Sequence, residues 1–261
     1  MADQPTGVSS LKTLDNALAV LSEFTLETPT WGLRELSKKM DMNHTVLHRI
    51  LRTFEGWGYL RQNPLTKEYE LGLKILEFTS VVKQRMKLSE FVVPVMHELV
   101  EEVGETAFLT LKDGDKGVTV EIVECDRPIK FNVSIGTRTP LHAGASCKVI
   151  LAFMDEEEKP GVLPESLQAF TARTVTEREA LIRDLEEVRE TGVCVTKGEF
   201  SDAVCGIAVP LFNARRKVVG SLTIAGPGYR MPDEETPELA EKVMNKGRII
   251  QQYIDRFGSF Y

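Results

Sequence analysis

Apolar residues recur at Leu11, Leu14, Leu18 and Leu21, with Ala17 and Phe24 widening the stripe. The i, i+3, i+7, i+10 spacing predicts an amphipathic helix, and Ser9 or Ser10 stands where its cap belongs. Thr28-Pro29 breaks the pattern. WGLRELSKKM then places Leu33, Leu36 and Met40 on one face of a short second helix. Asp41-Met42-Asn43 reads as a turn, with Asn43 as N-cap of a third helix. That helix runs from about His44 to Trp57, turns Leu47, Ile50, Leu51 and Phe54 inward, and ends at Gly56 and Gly58. YLRQNPLTKEYELG follows as two short β-prone runs around Asn63-Pro64, a hairpin signal. Three short helices and a hairpin are the order of a winged helix-turn-helix.

The stretch from about Leu73 to Lys87 is helical in pattern and carries Ile75, Leu76, Val81, Val82 and Met86. It is more apolar than a free linker, and a second copy of itself is the simplest partner. Beyond it, Pro94 suits the first residue of a helix ending near Gly104. TAFLTLK, GVTVEIVEC and IKFNVSI are strand-like, with Asp113-Gly114 turning the first pair. LHAGASCKVILAF reads as a loop entering a helix. After the acidic turn Glu156–Glu158, a helix spans about Thr176 to Glu190. GVCVTKGEF, GIAVPLF and VVGSLTIAG are strands, Asn213–Lys217 is a hairpin turn, and a last helix runs from Pro237 to Phe257, opened by Glu234-Glu235. Strands and helices mixed without βαβ alternation predict an α+β domain with a mainly antiparallel sheet. The expected division is 1–72, a winged helix-turn-helix; 73–87, a linker and dimerisation helix; and 88–261, an effector-binding domain.

Composition narrows the function. The 261 residues are 42% hydrophobic and 27% charged, enough for a sizeable core. A net charge of −7 argues against coating nucleic acid through bulk positive charge, though not against a local DNA-binding patch. Residues 1–72 hold 8 Lys and Arg against 9 Asp and Glu. One copy should therefore grip DNA weakly, and linked copies in a homodimer or homotetramer supply avidity. No apolar run reaches the roughly 18 residues of a spanning helix, so no membrane partner is expected. Met1–Gly7 is polar, and Cys125, Cys147, Cys194 and Cys205 are widely spaced, so a reduced, cytoplasmic protein is expected.

On the third helix, Thr45, Arg49 and Arg52 fall at i, i+4 and i+7, flanked by His44 and His48. Arg49 and Arg52 suit guanine edges or phosphates, Thr45 either, and His48 a phosphate. Arg61 and Lys67 add positive charge to the hairpin, against Glu68 and Glu70. The bland alternative is a solvated polar face. H-T-V-L-H lacks the glutamate of H-E-x-x-H and a third ligand, so no metal is expected. In the second part, His142-Ala143-Gly144-Ala145-Ser146-Cys147 enters a helix. Small residues at Gly144 and Ala145 admit a ligand to the backbone, the free N–H groups suit an anion, and Ser146 adds a hydroxyl. The alternative is that small residues merely pack a helix on a sheet. The cysteines form no ligand motif and read as core. Arg127, Lys130 and Arg138 read as surface charge. An enzyme with a DNA-binding appendage would need a nucleophile and a base in one cleft, and no such pair stands out. A sensor acting only through protein partners would show no operator binding.

Six runs in order carry a further signal: SLKTLDNALAVLSEF, LRELSKKMDMNHTVLHRILRTFEGWGYL, NPLTKEYELG, PLHAGASCKVILA, GEFSDAVCGIAVPLF and VVGSLTIAGPGYR. Together they resemble the IclR family of transcriptional regulators over nearly the whole chain. The resemblance implies a winged helix-turn-helix, a dimerising linker helix and a GAF/PAS-like effector domain. It also implies dimers or tetramers on double-stranded operator DNA, often governing breakdown of small organic or aromatic acids; no cofactor is expected. Position by position, it brings Cys147, Thr196, Val204, Cys205, Gly206, Thr223 and Ala225 to the effector pocket. A small carboxylate with an apolar body fits that set. The chain departs from the family in four ways. Lys67 stands where glycine is usual, and Glu68 and Glu70 where basic residues are frequent. A cysteine often near the ligand falls at Gly206, with Cys205 one place earlier, and an acidic pocket residue of some members falls at Thr196.

Overall fold

The computed structural model describes residues 11–86, 88–163 and 166–258, without the side chains of 85, 86, 88 and 89. Ser9 and Ser10 and the Met86 side chain therefore lie outside the described parts. The chain divides into two units after Arg85.

The first unit opens with α1 (Lys12–Ser22), followed by β1 (Thr30–Trp31), α2 (Leu33–Lys39), α3 (His44–Gly56), β2 (Leu60–Gln62) and β3 (Tyr69–Leu71). The three strands pair antiparallel in the order β1-β3-β2. Val20, Phe24, Trp31, Leu36, Leu47, Ile50, Leu51, Leu60 and Tyr69 form the core. The expected amphipathic helix is present, and of its apolar stripe Leu11, Leu14 and Leu18 are exposed. Ala17, Val20, Leu21 and Phe24 take the inward side. The two rows lie about a quarter turn apart on α1, and spacing alone does not say which one meets the core. β1 escaped the sequence reading because it is two residues long. It is held by burial of Trp31, whose Nε1–H donates to the Glu23 carbonyl at 2.7 Å.

The hairpin turns as expected. Asn63 Oδ1 accepts from the N–H of Leu65 at 2.9 Å and of Thr66 at 3.3 Å. Lys67 completes the turn at φ 65°, in the left-handed region that favours glycine. α4 (Lys74–Met86) carries Leu76, Phe78, Val81 and Val82 exposed. The Phe78 ring stacks on Tyr59 at 5.7 Å.

The second unit begins with α5 (Leu88–Val103). Pro94 lies inside this helix rather than at its start, a correction to the expected position. It removes one N–H from the ladder, but Val92, Val95, Met96 and Leu99 are buried and hold the helix through tertiary packing. β4 (Thr106–Asp113), β5 (Lys116–Val123) and β6 (Arg138–Pro140) come next. They are followed by α6 (Ala145–Phe153), α7 (Lys159–Val162), α8 (Arg178–Thr191), β7 (Cys194–Lys197), β8 (Val204–Phe212), β9 (Val218–Pro227) and α9 (Thr236–Phe257). IKFNVSI is not a strand: residues 129–135 run irregularly, and β6 takes the sheet edge instead. Of its alternating apolar residues, Ile129 and Ile135 are exposed. The other two, Phe131 and Val133, line a cavity rather than a ladder.

The sheet is antiparallel throughout, in the order β6-β5-β4-β9-β8-β7. Strand alternation sorts its two faces. Ala107, Leu109, Cys205, Ile207, Val209, Leu222 and Ile224 pack with α5 and α9. Ala208 and Cys194 pack with α6 and α8 on the other face. The cavity opens on that second face.

Candidate nucleic-acid interface and ligand cavity

On α3, Asn43 caps the helix as expected, its Oδ1 accepting the Thr45 N–H at 2.9 Å. Leu47, Ile50 and Leu51 bury the inward side, which leaves His44, Thr45, His48, Arg49 and Arg52 exposed along one edge. Arg61 and Lys67 are exposed on the hairpin. Two of the cations are held by carboxylates: Arg52 Nη1 meets Glu55 Oε2 at 2.6 Å, and Arg61 is paired with Glu70. Among the described residues no ion pair holds Arg49, so its guanidinium is available to an incoming anion. Val46, exposed beside Thr45, was missed.

In the second unit, Gly144 is the N-cap of α6, and its φ of 78° lies in the left-handed region that favours glycine. The first N–H groups of a helix have no carbonyl partner within it. The residues of this helix start border a cavity lined by eight of the ten residues expected there: Gly144, Ala145, Ser146, Thr196, Val204, Gly206, Thr223 and Ala225. The other two do not line it. Cys205 points to the α5/α9 side of the sheet, because Gly206 takes the cavity side of β8. Cys147 is fully buried one residue past Ser146, its thiol donating to the Thr139 carbonyl at 3.5 Å. Burial pushes that thiol's pKa up to about 12.

The cavity holds about 590 Å³ of empty space with its mouth included, of which about 60 Å³ admits the centres of water-sized groups. Ala143 of the loop entering α6 also lines it; the remaining wall was not read from the sequence: Phe108, Thr110, Thr119, Phe131, Val133, Thr137, Thr139, Glu199, Phe200 and Ser201. Phe108 and Thr110 were legible in principle, since alternation in TAFLTLK sets them opposite Ala107 and Leu109. Phe131 and Val133 depend on how the irregular segment is tied down. Arg230 forms a two-pronged pair with buried Glu105, with Nη2 to Oε2 at 2.7 Å, and the same Nη2 donates to the Ile129 carbonyl at 2.9 Å.

Beneath the cavity, Lys148 is 2% exposed. Its Nζ meets Glu199 Oε1 at 2.9 Å and Asp184 Oδ2 at 2.8 Å. Burial disfavours the ammonium, but the Glu199 charge and the hydrogen bonds to Asp184 and Glu199 outweigh it and raise its pKa. The Glu199 backbone is fastened as well, its carbonyl accepting from Thr174 Oγ1 at 2.6 Å. The arrangement offers unpaired N–H donors, an apolar wall and a fixed carboxylate. Such a site binds a small polar ligand; it shows no nucleophile paired with a base.

Comparison with known proteins places these two sites in context. A family model described as the IclR helix-turn-helix domain matches residues 13–64, and one described as the bacterial transcriptional regulator IclR C-terminal matches residues 80–252. The HTH-type transcriptional regulator KipR of Bacillus subtilis is 32% identical over 244 residues, spanning 93% of this chain and 97% of that protein. A crystal structure of an IclR transcriptional regulator from Silicibacter sp. TM1040 superposes with a TM-score of 0.81 at 26% identity, covering 93% of this chain and 96% of that one. An IclR homologue from Microbacterium hydrocarbonoxydans, crystallised with 4-hydroxybenzoate, shares the fold with a TM-score of 0.77 at 20% identity, covering 92% and 98%.

Proposed function

Because this chain belongs to the IclR family of bacterial transcriptional regulators, we propose that a small organic or aromatic acid in its C-terminal cavity adjusts its hold on the operator of a catabolic operon. As a family member it is a regulator with a DNA-binding helix-turn-helix and a ligand-binding C-terminal domain, not an enzyme. The finer assignments are ours. α3 enters the major groove with His44, Thr45, His48, Arg49 and Arg52, and the hairpin brings Arg61 and Lys67 to the backbone. The effector is a carboxylate with an apolar body. Its anion rests on the N–H groups of Gly144, Ala145 and Ser146, with Thr196, Val204, Gly206, Thr223 and Ala225 around it. The 4-hydroxybenzoate bound by the Microbacterium homologue has this chemistry.

The protein works in the cytoplasm, as a homodimer or homotetramer. Support for self-association comes from two apolar surfaces on the first unit, Leu11, Leu14 and Leu18 on α1 and Leu76, Phe78, Val81 and Val82 on α4. A second copy covers such surfaces and supplies the second DNA-reading edge, which a domain with no excess of positive charge needs. Ligand changes DNA binding only if it prefers one arrangement of the assembly over another.

The observation that carries the reading is the cavity bordered by the first residues of α6 and by apolar side chains; the free N–H groups of a helix start suit an anion there. A thermal-shift screen of small acids, followed by DNase footprinting of the chain's own promoter, tests it. An acid that raises the melting temperature should also change the footprint; acids that bind without altering it would leave the regulatory reading unsupported.

A further inference from the structure

Among the described residues, three buried side-chain polar atoms have no hydrogen-bond partner: Thr110 Oγ1, Thr223 Oγ1 and Glu199 Oε2. They come from β4, β9 and the loop after β7, and all three residues line the one cavity. Buried polar groups are nearly always paired, and each exception asks for a reason. Thr110 and Thr223 are each 1% exposed, on paired strands and on the same face of the sheet. A threonine hydroxyl both donates and accepts, whereas an ionised carboxylate only accepts. Glu199 spends Oε1 on Lys148, and Lys148 is shared with Asp184, so these three groups carry a net charge of −1. Thr171 and Thr174 already hold the Glu199 backbone, so its free oxygen is not needed to fix the loop.

We propose that the cavity selects a short-chain hydroxy acid: the carboxylate sits on the N–H groups at the start of α6, and a hydroxyl donates to Glu199 Oε2 and completes Thr110 and Thr223. This rests on the carboxylate reading above and narrows it. A keto oxygen cannot donate to Glu199, and a second carboxylate meets a site already negative. An acid without a hydroxyl leaves all three atoms unpaired, and sites built to bond a hydroxyl reject the analogue that lacks it. The space is confined, since only about 60 Å³ admits the centres of water-sized groups.

Calorimetric titration of the full chain with propionate, lactate, glycerate and alanine tests the proposal, together with a Thr110→Val variant. Lactate or glycerate should bind at least about tenfold tighter than propionate. Thr110→Val should shrink that preference about tenfold while raising the melting temperature of the ligand-free protein, because it removes an unpaired buried hydroxyl. The melting temperature shows that the variant folds, and the preference ratio is a quantity that a merely structural threonine would not move. Equal binding of propionate and the hydroxy acids overturns the hydroxyl selection and leaves the carboxylate reading intact. So does a Thr110→Val protein with its preference unchanged. Tighter binding of alanine overturns it in favour of an ammonium group. If none of these acids binds, the short-chain hydroxy-acid selection is overturned, and the thermal-shift screen with larger and aromatic acids decides the carboxylate reading separately.

Discussion

Gly206→Val isolates the cavity from the rest of the molecule. A Cβ at Gly206 stands 3.3 Å from Ala145 Cβ and 3.7 Å from Thr196 Oγ1, so a branched side chain there has to grow into the open space. Only about 60 Å³ of the cavity admits the centres of water-sized groups, and three added carbons intrude on that space. Overpacking of this size costs about 1–3 kcal/mol. At about 2–4 °C per kcal/mol for a domain of this length, the melting temperature falls by about 2–12 °C. That is small enough to leave the unit folded. In the wild type, an acid at a hundred times its Kd contributes about 2.7 kcal/mol, a rise of about 5–11 °C. Differential scanning fluorimetry should show that rise abolished in the variant, while fluorescence anisotropy shows its ligand-free binding to operator DNA unchanged. A folded Gly206→Val protein that keeps the full acid-induced rise would refute the placement of the ligand.

Further consequences follow from particular residues. Lys67→Gly relieves a left-handed backbone at φ 65° and should stabilise the protein by about 0.5–1 kcal/mol in urea titration. Burial pushes the Cys147 and Cys194 thiols up to about 12, above their ordinary value of 9.0, so both should resist alkylation in the native protein at pH 8 and react once it is unfolded. Because the folded values are the higher ones, the stability these thiols contribute is complete below about pH 9 and lost as pH rises toward 12, which denaturant titration across that range reads. Leu76→Lys with Val81→Lys places charge on the apolar face of α4 and should shift sedimentation toward the monomer; an unchanged assembly would remove α4 from the interface.

The local signals in the sequence were strong where one side of an element is plainly polar. Asn43, the α3 edge and the turn at Asn63-Pro64 were all legible, because capping and turn chemistry act over a few residues. α1 was legible as a helix but not in its facing, because it bears two apolar rows and only tertiary packing chooses between them. Pro94 misled because a helix rule about termini yields to the burial of Val92, Val95 and Met96. The cavity was half legible. The small residues of the α6 entry announce themselves, but Cys205 and Gly206 differ by one position, and one position on a strand is the opposite face. Glu199, Phe131 and Val133 lie on irregular segments whose placement depends on distant partners, Lys148 for the first and Arg230 for the other two.

Operator binding measured across a range of salt concentrations, for the wild type and for Arg49→Ala with Arg52→Ala, tests the DNA-reading edge most directly. The exposed edge of α3 predicts a loss of affinity in the double variant. Where an arginine meets a phosphate, the slope of log K against log salt should fall by about 0.9 for each contact removed; where it meets a guanine, discrimination among operator sequences should fall instead. A double variant with unchanged affinity, slope and sequence preference would contradict the assignment of α3 as the element that reads DNA.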